Sequence, residues 1–188
     1  MTDALTFLKT RRSRPEKILG GPYPDDTTLT ALLEIAARTP DHGKLVPWRF
    51  IVLKQPALRR LAGLAIKLST DAGRSDADTQ KCAAQFQSSG LAVAVIESPK
   101  PSEKIPAIEM TYSTGAVCLG LVNAALASGW GASWLSGWAA HQPEFGQTGL
   151  GLAAHERIAG IIHIGTPRQT PPDRDRPVIA DITHWIDT

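Results

Sequence analysis

Cysteine is scarce in this chain: its 188 residues include two, Cys82 and Cys118. They are far apart and stand in neither a metal-binding nor a redox spacing, and such usage fits a reducing cytosol. The five histidines are scattered, with no two at a ligand spacing. We therefore expect a cytoplasmic protein that binds no metal.

An excess of charge of one sign is also lacking. The net charge is +2, and no run of lysines and arginines forms a stripe, which argues against a nucleic-acid partner. The first twelve residues place their charges after the apolar side chains, unlike a signal peptide. Without internal repeats or low-complexity segments, residues 1–188 are predicted to form one domain.

Several motifs that carry catalysis are missing. The chain has no GxxxxGK[ST], HExxH, CxxC or GxSxG, and its nearest approach to a dinucleotide fingerprint, residues 149–154, follows no strand. No cysteine nucleophile stands out. What remains is an arginine cluster, a polar loop and a loop of small residues, a set that suits a flat, phosphorylated cofactor better than catalysis by side chains.

The longest uncharged segment lies between Glu109 and Glu144. Residues 116–127 are apolar on every side of a helix apart from Gly120 and Asn123, which predicts a buried central helix. This run is shorter than the roughly 20 residues that a bilayer requires, so we expect no membrane span. A strand over residues 130–134 and a loop at Trp134–Gly137 follow, and small residues there allow a flat group to approach.

The remaining elements do not alternate strictly. Asp3 is predicted to cap a first helix, which ends before Pro15. Asp25 or Asp26 is predicted to cap a second helix, which ends before Pro40. Further helices are predicted at 56–68, in part of 70–89 and at 143–152; strands at 49–53, 91–96 and 157–164; and an apolar C-terminal arm at 178–185. This order predicts an α+β fold around a small mixed central sheet flanked by helices.

Two polar segments are candidate binding sites. Residues 11–14, Arg-Arg-Ser-Arg, offer guanidinium forks and a hydroxyl that match phosphate oxygens. The alternative is that these cations merely favour a helix C-terminus. The loop over residues 39–48 contains His42 and is typical of a binding loop, although a lone histidine there is more often hydrogen-bonded than catalytic.

Five motifs in order resemble the FMN-dependent nitroreductase family, in particular its short branch. Each motif is weak alone, but together they span nearly the whole chain. They are Arg11-Arg12-Ser13; Ala37 to His42 with Pro47 to Phe50; the apolar helix ending at Ala124 to Gly129; Gly131 to Gly137; and Gly165-Thr166-Pro167.

The resemblance implies a nitroreductase-like homodimer with two FMN molecules at the subunit interface. Arg11, Arg12 and Ser13 would hold the phosphate and ribityl chain, with Arg174 and Arg176 as further candidates for the phosphate. Arg38 and His42 of the partner subunit would contact the flavin. Its isoalloxazine ring would be lined by Trp134, Leu135 and Ser136. The nicotinamide nucleotide would contact Ala124, Ala125, Leu126, Ala127, Ser128 and Gly129.

The resemblance also implies a reaction. NADH or NADPH would give a hydride to flavin N5 and leave, and a small electron-poor acceptor such as a nitroaromatic compound would then take its place, in a ping-pong cycle that needs no catalytic side chain. Three alternatives remain open. They are a same-fold reductase of enones or quinones, a flavin-binding redox sensor with poor turnover, and a cofactor-free interaction protein in which the arginines only end a helix.

Overall fold

Five antiparallel strands lie between two layers of helices in the computed structural model, which describes residues 3–188. Residues 1 and 2 of the predicted single domain lie outside the described residues. The helices are α1 (Ala4–Thr10), α2 (Asp26–Ala36), α3 (Gln55–Asp71), α4 (Asp76–Gln87), α5 (Ala107–Ala127), α6 (Gly137–Ala140) and α7 (Pro143–Leu150). The strands are β1 (Leu19–Gly20), β2 (Trp48–Lys54), β3 (Leu91–Glu97), β4 (Gly131–Leu135) and β5 (Arg157–Pro167).

The sheet confirms the predicted α+β class and corrects one detail of it. Strands follow the order β1-β5-β3-β2, and β4 also pairs with β5. Every pairing among the described residues is antiparallel, so the expectation of a mixed sheet is wrong. The uninterrupted apolar run of β3 is explained by burial on both faces, because helices cover both sides of this antiparallel sheet.

Alternate side chains of the sheet enter two separate cores. Ala92, Ala94 and Ile96 of β3 face α3, α4 and α7, whose Leu58, Phe86 and Phe145 have no exposed surface. Val93 and Val95 face the other way and pack on α2 and α5. The period of two residues along β3 therefore divides one strand between both layers.

Helix α5 differs from its prediction in length and in burial. It begins at Ala107, directly after Pro106, nine residues before the predicted start, because polar side chains such as Glu109 and Thr111 hide the helical pattern of its first turns. It is not buried all round, since Tyr112 is 68% and Leu119 46% exposed. Within residues 3–188 it is the one helix whose 21 residues are long and apolar enough to cross a bilayer, yet it packs against the sheet as the core helices of soluble proteins do.

The other elements follow the sequence closely. Asp3 accepts hydrogen bonds from the amides of Leu5 and Thr6, and Asp25 from that of Thr28, so both predicted caps are confirmed. The segment predicted as partly helical contains the full helix α4. The two shortest elements, β1 and α6, were not predicted, because two and four residues are too few to show a period.

Beyond β5 the chain forms an extended arm with one short turn of 3-10 helix at Ile179–Ile182. Its apolar side chains are exposed, and Trp185 and Ile186 each keep 86% of their accessible surface. The extended C-terminal arm is thus present as predicted, with no large cover from the described part of its own chain.

Candidate functional site

A cleft of about 490 Å³ opens where the end of α1, the middle of α5 and the end of β4 meet. It joins two predicted groups of residues that are more than a hundred positions apart. One is residues 11–14, here called the arginine segment, which contributes Arg11 and Ser13, and the other is the loop of small residues at Trp134–Gly137. Its full lining is Arg11, Ser13, Leu119, Val122, Trp134, Leu135, Ser136, His141 and Ala159.

The arginine segment is held in place by backbone and side-chain hydrogen bonds. Helix α1 ends at Thr10, and the amide of Arg14 then donates to the carbonyl of Ala132 at 2.8 Å, which fixes the segment to β4. A guanidinium nitrogen of Arg11 lies 3.2 Å from Ser13 Oγ, and one of Arg12 lies 3.2 Å from the carbonyl oxygen of Ser13. The segment is therefore half-buried and ordered rather than a free row of cations.

The charges of this segment are not balanced. Within residues 3–188, neither Arg11 nor Arg12 forms an ion pair with a carboxylate, and the buried Nε of Arg11 has no hydrogen-bond partner. Burial, and then the charges of Arg176 and Arg12, lower the pKa of Arg11. Donors left unpaired in a region of positive potential are suited to an anion.

The C-terminal arm brings one of its two candidate arginines to this segment. Arg12 Nε donates to the carbonyl of Pro172 at 3.2 Å, which anchors the arm. Arg176, paired with Asp173 at 3.1 Å, then lies close enough for its charge to act on Arg11. In the described part of the chain the guanidinium of Arg174 makes no hydrogen bond or ion pair, and of the two candidates it is Arg176 whose charge acts on Arg11.

The opposite wall of the cleft is the end of β4. Trp134 is 42% exposed, and its indole nitrogen donates to the carbonyl of Ala159 at 3.3 Å. The indole lies so close to β5 that a Cβ on Gly160 would stand 2.1 Å from it. After Leu135 the backbone turns sharply, with Ser136 at φ −130° and ψ −72° and Gly137 at φ 74°.

A second recess of about 450 Å³ adjoins the cleft and shares Leu135 and Ser136 with it. Helix α4 forms its far wall through Gln85, whose amide nitrogen donates to the carbonyl of Ser136 at 3.1 Å. The Arg74 guanidinium lies 4.9 Å from the centre of the Trp138 ring. Two buried polar atoms here, Gln85 Oε1 and Arg74 Nε, have no partner among the described residues.

Arg38 and His42 are not brought to the cleft of their own chain. Arg38 is exposed just after α2, and His42 Nδ1 lies 2.8 Å from Glu109 Oε2 near the start of α5. Neither lines the cleft. Their contact with a flavin bound by the partner subunit stays a prediction.

The segment predicted to contact the nicotinamide nucleotide, Ala124 to Gly129, ends α5 and likewise does not line the cleft. Ala124 and Ala125 are buried in the core, and Leu126 is half-buried. Ala127, Ser128 and Gly129 are exposed. A ligand could therefore reach these three residues but not the side chains of Ala124 and Ala125.

Some cleft residues had no signal in the sequence. Leu119 and Val122 were assigned to an all-round buried helix, although one face of that helix forms the cleft wall. His141 follows the unpredicted α6 and was counted among the scattered histidines. In the described residues, no three side chains of His, Cys, Asp or Glu come together as metal ligands do.

Comparison with known proteins identifies the family of this chain. The family model described as Nitroreductase family matches residues 8–166. A Haemophilus influenzae protein named "Putative NAD(P)H nitroreductase" is 31% identical over 165 residues, covering 87% of this chain and 88% of that protein.

Two solved structures share the fold. A nitroreductase-like family protein from Bacillus cereus gives a TM-score of 0.83 at 24% identity, over 100% of this chain and 98% of that one. A nitroreductase with bound FMN from Bacteroides fragilis gives 0.74 at 18% identity, over 100% of both chains. With the family model covering most of its length, the chain belongs to the nitroreductase family of oxidoreductase enzymes.

Proposed function

We propose that this enzyme binds FMN and uses NADH or NADPH to reduce nitroaromatic or related electron-poor small molecules. One observation carries the proposal: a single cleft joins the unbalanced arginine segment to the Trp134–Ser136 loop. The Haemophilus influenzae relative is named for an NAD(P)H nitroreductase, and the Bacteroides fragilis neighbour was solved with FMN.

The phosphate end of FMN fits the cluster of Arg11, Arg12 and Arg176. A phosphate monoester is close to a dianion, and its oxygens accept the planar forks that arginine offers. Within the described residues the buried Nε of Arg11 has no partner, and burial, followed by the charges of Arg176 and Arg12, lowers the pKa of Arg11. A bound dianion would supply the missing acceptors and relieve the repulsion among these three cations.

The ring end of FMN fits the other wall. Leu119 and Val122 of α5 line the cleft with apolar side chains, and at the turn after Leu135 the backbone of Ser136 and Gly137 would meet the polar edge of the ring. The side chains on this wall bind and orient; none is needed to transfer a proton at the reacting atoms. When bound, FMN would supply the redox chemistry of the proposed ping-pong cycle between the nicotinamide nucleotide and the acceptor.

The active form in this proposal is a cytoplasmic homodimer of single-domain subunits. Apolar side chains are exposed on α1, on α5 and along the C-terminal arm, a pattern that favours burial against a second copy. FMN would lie between the subunits, with Arg38 and His42 contributed by the partner. Ala127, Ser128 and Gly129 remain our predicted contact for the nicotinamide nucleotide.

The direct test is the visible spectrum of the protein purified without added cofactor. We expect a two-band flavin spectrum that bleaches on anaerobic addition of NADH or NADPH and returns when a nitroaromatic acceptor is added. Size-exclusion chromatography with light scattering should give twice the chain mass. A colourless protein that also fails to bind added FMN would overturn the proposal.

A further inference from the structure

Gln85 links helix α4 to the loop that ends β4. Its side chain is almost buried, at 7% exposure, and its Nε2 donates to the carbonyl of Ser136 at 3.1 Å. A carbonyl oxygen accepts and never donates, so the NH₂ group of the amide must face it. The other end of the amide, Oε1, is consequently fixed and has no partner within the described residues.

This hydrogen bond orients one peptide group. In a trans peptide the C=O and the following N–H point in opposite directions. Holding the Ser136 carbonyl towards α4 therefore turns the amide of Gly137 away from α4. A Cβ on Gly137 would lie 2.9 Å from Gln85 Nε2, and φ at this position is 74°, so the contact requires glycine there.

The local sequence does not explain this geometry. Ser136 stands at φ −130° and ψ −72°, and a tertiary hydrogen bond from α4 holds its carbonyl group there. Gln85 supplies that external contact. Ser136 lines both the cleft and the adjoining recess, so the orientation of its peptide group bears on a molecule bound in either.

Packing alone does not require a glutamine here. The neighbours of Gln85 on the buried side of α4 are Cys82, Ala83 and Phe86, and an apolar side chain would complete that surface. The amide instead leaves Oε1 buried beside a recess of about 450 Å³ with no donor among the described residues, and a buried acceptor without a donor is destabilising. This cost is explained if the amide serves a bound molecule.

We propose that Gln85 is a positioning residue for the flavin. It fixes the Ser136–Gly137 peptide so that its N–H group is presented to the polar edge of the isoalloxazine, where a donor stabilises the reduced, more negative ring. The inference rests on the proposed binding of FMN in the cleft. It adds a residue of α4 that none of the sequence motifs contains.

The experiment compares wild type, Gln85→Met and Gln80→Met. Methionine keeps the length of glutamine and removes the amide, and Gln80 is exposed on the same helix outside both cavities. The measurements are FMN affinity, the fine structure of the flavin spectrum and the two-electron midpoint potential, with the melting temperature of the apoprotein as a folding control.

For Gln85→Met we expect a melting temperature near that of wild type. Binding of reduced FMN should weaken about tenfold more than binding of oxidised FMN, which lowers the midpoint potential by about 30 mV. Gln80→Met should match wild type. If Gln85→Met does not fold, Gln85→Leu also removes the amide without adding a charge and should shift the potential in the same direction.

The outcomes separate the two proposals. Wild type that binds FMN together with a Gln85→Met variant of unchanged affinity, spectrum and potential overturns the positioning role alone. Wild type that binds no FMN overturns the proposed function, and the positioning role with it.

Discussion

The Nε of Arg12 lies 3.2 Å from the carbonyl oxygen of Pro172, which is 160 residues further along the chain. This contact returns the C-terminal arm to the end of α1 and brings the charge of Arg176 close to Arg11. Arg11, which lines the cleft, thus has two further cations near it, Arg12 and Arg176. Asp173 offsets part of the repulsion among them through its ion pair with Arg176, and a bound anion would offset more of it.

Arg11→Ala should weaken FMN binding by about 1.5–3 kcal/mol, the range for a hydrogen bond to a charged group, or roughly 10- to 150-fold in the dissociation constant. The measurement is a fluorescence titration of the apoprotein with FMN. Arg59→Ala is the control, since this arginine is exposed on α3 and away from the cleft. An unchanged dissociation constant for Arg11→Ala would remove Arg11 from the site.

Arg176→Ala should weaken FMN binding without lowering the stability of the apoprotein. Removing this cation breaks its exposed ion pair with Asp173 but relieves the repulsion on Arg11, so the apoprotein should melt no lower at low salt. Arg174→Ala should not weaken FMN binding, because its guanidinium makes no hydrogen bond or ion pair in the described chain. Equal effects of the two substitutions would contradict the assignment of Arg176 to the cluster.

The sequence predicts the two walls of the cleft but not how they are completed. The segments Arg11–Ser13 and Trp134–Ser136 carry their signal locally, as dense donors and as small residues after an apolar run. His141 and Gln85 carry none, because each matters through a tertiary contact that no period or spacing encodes. Arg38 and His42 do not line the cleft of their own chain, and their contact with a flavin bound by a partner subunit stays a prediction.

A comparable limit explains the error at α5. Counting a run of apolar residues marks only the part of a helix without polar side chains, and α5 begins earlier, where its outer face turns polar. The same criterion conceals the exposed face that includes Leu119. The helical periodicity of polar and apolar residues, rather than the length of the apolar run, indicates which face of α5 is exposed.

Gly160→Ala and Gly63→Ala should have opposite effects on stability. A Cβ on Gly160 would lie 2.1 Å from Trp134 Nε1, so the indole must move away from β5, at a cost of about 1–3 kcal/mol. Gly63, inside α3, has nothing within 4 Å of an added Cβ, and alanine there should stabilise the protein by about 0.5–1 kcal/mol. Urea unfolding of both variants measures the two differences, and a Gly160→Ala protein as stable as wild type would mean that the indole is not confined.

His163 should make the protein less stable as the pH falls below about 6.5. It is fully buried in β5, opposite Ser133 of β4, and neither its ring nitrogens nor Ser133 Oγ has a partner among the described residues. Burial lowers the pKa of His163 from 6.5 to about 4. Between these values the unfolded chain binds a proton that the folded chain does not, so stability is lost as the pH falls towards 4 and is retained above 6.5.

The loss attributable to His163 should be about 2 kcal/mol between pH 8 and pH 5. His163→Leu should abolish this slope while remaining at least as stable at pH 8, because the substitution buries no unpaired nitrogen. The hydrogen bond with Arg49 lowers the pKa of Glu156 to about 2. Protonation of this carboxylate therefore reduces the stability of the fold only at more acidic pH. His155→Gln, at an exposed position, is the control, and a His163→Leu variant that keeps the wild-type slope would assign the pH dependence to other groups.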